Sequence, residues 1–138
     1  MKALPIEQVV ARLVETNDRY QKLRGLFEEF CDDAEQFAGA DADVQGLTLD
    51  HDPDNDCLDV EFCGITYRFS FNVDELGNGV IACDVMHSGE DAEPILSVVF
   101  DESGDGDLMD SEDVLMNLRD GGPLVLEVIH RHLYPREQ

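Results

Sequence analysis

Basic side chains are what this sequence most lacks. From residue 25 to residue 118 it has one, Arg68, among 26 acidic residues, a net charge of −25. A region so short of cations cannot grip phosphate, which excludes direct binding of DNA or RNA. The whole chain of 138 residues carries 9 basic and 32 acidic side chains, net −23. Lysine occurs only as Lys2 and Lys22. Scarce lysine with abundant Asp and Glu fits adaptation to a salty cytoplasm. Such a surface is acidic throughout, however, and residues 1–24 net +2.

Long apolar runs are absent too. No stretch is long enough to span a bilayer, and the first residues lack the charged-then-apolar pattern of a signal peptide. A cytoplasmic protein without membrane contact is the expectation. The four cysteines, Cys31, Cys57, Cys63 and Cys83, contain no CxxC pair. Cys57 and Cys63 end one strand, too far apart to share a zinc ion. A chain of this length buries roughly two thirds of its unfolded surface and needs no staple. The thiols are therefore expected reduced, with Cys31 and Cys83 in the core. No Gly-rich phosphate loop, HExxH or GxSxG elbow occurs. Nothing supports catalysis, and a protein that is not an enzyme is expected.

What is present is alternation. In CLDVEFCGITYRFSF, Cys57 to Phe71, apolar Leu58, Val60 and Phe62 alternate with Asp59 and Glu61. After Cys63-Gly64, apolar Ile65, Tyr67, Phe69 and Phe71 alternate with Thr66, Arg68 and Ser70. Period two marks strands with one buried face. A two-residue turn at Cys63-Gly64 sets Phe62 opposite Ile65, Val60 opposite Tyr67 and Leu58 opposite Phe69. That register keeps the apolar set on one face, and Arg68 opposes Asp59 on the other. A turn at Asp54-Asn55 extends the pattern backwards, with His51 on Leu58, Leu49 on Val60 and Leu47 on Phe62. Two further strands follow, Val80–His87 and Ile95–Phe100, the latter with Leu96, Val98 and Phe100 inward.

Helical spacing frames the strands. From Ile6 to Phe37 apolar residues recur at three and four, a long helix or, with breaks at Asn17-Asp18 or Gly25, a helix pair. Ser111 caps a short helix running to Arg119. Gly121-Gly122-Pro123 breaks the chain before a last helix, Leu124–Tyr134. The expected fold is one α+β domain over residues 1–138. It has a five-stranded antiparallel β-meander, with the long N-terminal helix and two short C-terminal helices packed on one face.

Two clusters are candidate sites. Outward residues on a strand lie ~6.8 Å apart. Asp50, Asp52, Asp59 and Glu61 then form two neighbouring rows of carboxylates. Like charges placed opposite each other cost stability. A sheet that sets Asp50 against Asp59 accepts that cost, which points to a basic partner protein, one that itself binds nucleic acid among the options. The second cluster, DESGDGDLMDSE at 101–112, resembles the calcium loop of EF-hand proteins. Asp101, Ser103 and Asp105 stand at loop positions one, three and five, Gly106 at six, Asp107 at seven and Glu112 at twelve. The resemblance implies a calcium-binding module and covers those twelve residues only. It departs from the pattern at Met109 and Asp113, and the preceding segment reads as a strand. No other cofactor is expected. His130 and His132, two apart on a helix, cannot chelate one ion and are expected to meet the helix C-terminus.

In size and acidity the chain looks like two known groups. Type III secretion chaperones are small acidic α+β dimers, and the likeness implies a chaperone and a homodimer. They place a helix between strands three and four, where Val73 to Val80 is too short. DNA-mimic inhibitors of the uracil-glycosylase-inhibitor kind pair helices with an acidic antiparallel sheet. That likeness is architectural and transfers no residue. The leading expectation is a non-enzymatic acidic binding protein, an inhibitor or DNA mimic.

Overall fold

The structure, a computed structural model, describes residues 4–37, 44–86, 92–109, 115–117 and 121–134. Helix α1 (Ile6–Gln36) is followed by strands β1 (Thr48–Asp52), β2 (Cys57–Phe62), β3 (Ile65–Val73), β4 (Gly79–Met86), β5 (Glu93–Phe100), β6 (Asp105–Met109) and β7 (Leu115–Asn117). Helix α2 (Gly121–Leu133) closes the order. Each strand pairs antiparallel with its neighbour in sequence, so the sheet is a meander. The class is α+β, as expected, with strands the sequence reading missed.

The first hairpins follow the alternation. Phe62 pairs with Ile65, Val60 with Tyr67, Leu58 with Phe69 and Asp59 with Arg68. Leu49 pairs with Val60 and His51 with Leu58. Cys63 and Gly64 have φ of 54° and 79°, the paired positive values of a tight turn that matches strand twist. Leu58, Val60, Tyr67, Phe69, Ile81, Cys83, Val85, Val98 and Phe100 form the buried face. Gly79 stands opposite Phe100, whose ring lies where a Cβ would be, so an aromatic covers the bare backbone. The β4–β5 register shifts after Cys83, where Ile95 is the extra residue beside Pro94. Proline cannot donate to the ladder, and a bulge accommodates it.

Helix α1 does not break. A helix-interior glycine costs about 1 kcal/mol against alanine, while burying a Leu or Phe side chain contributes about 1.5–3 kcal/mol. Leu23, Leu26, Phe27 and Phe30 surround Gly25 and are all buried, so packing wins. Phe27 stacks on Phe71 at 5.7 Å and Phe30 meets Phe69 at 5.8 Å. The other half of α1 leaves the sheet. Residues 6–18 are exposed, with Val9 half-buried.

Two expectations at the C-terminal end are corrected. Leu115–Asn117 is a strand paired with β6, not part of a helix capped at Ser111. Ser111 itself lies outside the described residues. A charged first turn is a local preference, and strand pairing is a non-local contact that propensity does not report. The second correction is Gly121-Gly122-Pro123, which opens α2 rather than breaking before it. First-turn N–H groups have no intrahelical partner, so proline is tolerated there. Gly121 lies against the Phe30 carbonyl, and a Cβ would collide with it. The two helices cross at that contact, with Leu124, Val125, Val128 and Ile129 completing the core.

Candidate functional site

The outer face of the sheet is built by the residues that alternate with the core. One row across the strands reads Asp50, Asp59, Arg68, Asp84. The row beside it pairs Thr48 with Glu61 and Glu61 with Thr66. Directly opposed side chains on antiparallel strands have Cβ atoms about 4.5–5.5 Å apart. Asp50 and Asp59 are so placed. Arg68 relieves part of the repulsion. Its Nε donates to Asp59 Oδ1 at 2.8 Å and a terminal nitrogen donates to Asp59 Oδ2 at 3.1 Å. Among the described residues Asp50, Glu61 and Asp84 make no side-chain hydrogen bond or ion pair, and Asp50 and Glu61 are exposed. Asp84 was missed in the sequence. Its outward direction was legible from Cys83 and Val85, but its place beside Arg68 depends on the β3–β4 register.

Asp52 has another task. Its carboxylate accepts from the backbone N–H of Asp54 at 3.1 Å and from Asn55 Nδ2 at 2.7 Å, closing the β1–β2 turn. The Asn55 side chain is the main reason its pKa lies below the ordinary 3.8. Asp52 is thus committed to the turn, while Asp50, Asp59 and Glu61 belong to the face.

At the 101–112 loop the backbone makes a β5–β6 turn, with Gly104 N–H donating to the Asp101 carbonyl at 3.0 Å. Asp101 Oδ1 accepts from the Ser103 N–H at 2.9 Å and the Asp105 N–H at 3.3 Å. Ser103 Oγ lies 3.0 Å from Asp105 Oδ2. The turn joins Asp101, Ser103 and Asp105, and residues 105–109 are extended. The Asp107 side chain and Glu112 lie outside the described residues. Among the described residues no group of three His, Cys, Asp or Glu side chains is placed to hold a metal ion.

Two bases of α1, Arg19 and Arg24, have structural partners. Arg19 Nε donates to the Gly77 carbonyl at 2.6 Å, and its guanidinium also pairs with Glu102 at 2.9 Å. Arg24 Nε donates to Asp56 Oδ1 at 2.7 Å, and a terminal nitrogen donates to the Pro53 carbonyl at 2.9 Å. The β1–β2, β3–β4 and β5–β6 turns lie at one end of the meander, and these two arginines hold all three. His130 and His132 lie in the last turn of α2, as expected, and His132 has a further contact that helical spacing does not report. Its Nδ1 lies 2.8 Å from the Tyr67 hydroxyl, and the rings meet edge to face. His51 is half-buried beside Phe27, as its register implied.

No protein-family model, no curated protein and no solved structure matches the chain. No described helix is long and apolar enough to cross a membrane.

Proposed function

We propose that the outer face of β1–β4 is a recognition surface for a basic partner protein, and that the chain is a non-enzymatic binding protein acting as an inhibitor or nucleic-acid mimic. The observation that carries this reading is the row Asp50, Asp59, Arg68, Asp84 with Glu61 beside it. Four carboxylates share the face with one cation, which among the described residues pairs with Asp59 alone, and Asp50 and Asp59 are directly opposed. That arrangement costs the isolated protein stability and complements a cationic surface. Basic proteins that bind nucleic acid are the natural probes, because their cationic surfaces already recognise rows of negative charge.

The test is binding to a panel of such proteins with duplex DNA as competitor. Affinity is expected to fall as salt rises, and DNA is expected to displace the chain. Neutralising Asp50, Glu61 and Asp84 to Asn, Gln and Asn, with the Arg68–Asp59 pair kept, should weaken binding strongly while leaving the fold intact. Asp52 stays unchanged in this variant because its loss would open a turn. Reversing Glu7 and Glu15 on α1 should have little effect. Equal weakening by both sets, or a complex indifferent to molar salt, would remove the sheet as the interface.

A further inference from the structure

Among the described residues, the N-terminal half of α1 is an arm without a partner. Ile6, Val10, Leu13 and Val14 are exposed to 69%, 51%, 64% and 54%, and they share one helical stripe. The arm spans ~20 Å from Ile6 to Asp18 at 1.5 Å per residue. A helix of that length without packing is marginal in water. At its base a groove of about 370 Å³ opens between α1 and the β3–β4 turn, lined by Leu13, Tyr20, Leu23 and Val73 among others.

Charge selects the occupant. Residues 6–20 hold Glu7, Glu15 and Asp18 against Arg12 and Arg19, nearly neutral in a chain of net −23. A basic protein is drawn to the sheet, not to the arm. Two copies repel each other wherever their sheets or acidic turns approach. The arms can meet without that penalty.

We infer that the arm is a self-association surface, and that two copies of the chain pair their arms antiparallel, centred on Leu13. This pairing sets Ile6 of one copy opposite Tyr20 of the other, so Ile6 enters the groove at the base of the arm. It also places the two acidic bodies at opposite ends, where repulsion is least. The inference rests on the apolar stripe and does not require the sheet to bind a partner.

The experiment is sedimentation equilibrium of the full chain over about a hundredfold range of concentration, at low and high salt. The expected result is a concentration-dependent dimer that tightens with salt. A Val10→Ser/Leu13→Ser variant should be monomeric with an unchanged circular dichroism melt at high dilution, since these side chains lie outside the core. In a Cys63→Ser background, Leu13→Cys should cross-link to itself under mild oxidation, and Ile6→Cys should not. A wild-type chain monomeric in both salts, or a dimer that survives the double substitution, would overturn the inference. Efficient self-cross-linking through Ile6→Cys would overturn the antiparallel arrangement.

Discussion

Tyr67 joins the sheet to α2. Its ring is fully buried among core side chains, and only its hydroxyl reaches a polar partner, His132. Tyr67→Phe removes that hydrogen bond and is expected to cost about 1 kcal/mol by denaturant unfolding. Tyr67→Asp buries an unpaired charge and should leave no cooperative transition. The inward direction of Tyr67 was legible from alternation. Its partner was not, because 65 residues separate them and nothing local links a helix-end histidine to a strand. The cysteines offer a second check. Cys31 and Cys83 are buried, and burial pushes both thiols up, Cys83 to about 12. Cys63 is exposed in its turn. A thiol-disulfide reagent at neutral pH should modify Cys63 quickly and the buried thiols only after unfolding. Rapid labelling of Cys83 in the native protein would contradict the placement of β4.

At the scale of elements, the hairpins and the ends of the sheet differ in how far sequence determines them. A strand with one buried face has its register specified by side-chain period, so β1 to β3 could be paired before any coordinates. Strand β6 is short and acidic and β7 is only three residues long, so neither offers an alternating run, and only pairing makes them strands. The clamp on the turns was illegible for another reason. Arg19 and Arg24 lie on a helix whose spacing reports its apolar face, while the groups they meet are backbone carbonyls and turn carboxylates far along the chain. Replacing either arginine with alanine is expected to lower the thermal midpoint. The double variant should lose less than the sum if the turns share one network. Full additivity would show that the turns are held independently.

For the whole molecule, charge opposes folding while the apolar core favours it. Added salt should raise the melting temperature of the free protein, because screening relieves repulsion among carboxylates. pH acts through two opposed effects. Lowering pH from 7 discharges the crowded surface and should first stabilise. Asp52 and Asp101 work the other way, their pKa values held below 3.8 by hydrogen bonds from Asn55 and Ser103. A carboxyl depressed in the folded state favours folding above its unfolded value, and that contribution is lost as pH falls through the folded value. Thermal melts at low salt should therefore peak at mildly acidic pH and decline below 3.8. A monotonic fall from pH 7 would mean that surface repulsion is not a main cost.

The ordering of the meander also has a kinetic consequence. Every strand pairs with the one before it, so the sheet can assemble by successive hairpin closures of low contact order. Helix α1 is synthesised before the sheet, yet Arg19 meets a turn 58 residues later. Until that turn emerges from the ribosome, the apolar face of α1 has no sheet to cover it. Docking of the helix is thus expected on the native side of the rate-limiting barrier. Arg19→Ala should speed unfolding and leave the folding rate unchanged, whereas Val60→Ala, within the central hairpin, should slow folding. A helix translated ahead of the sheet would then find its place after the sheet has formed.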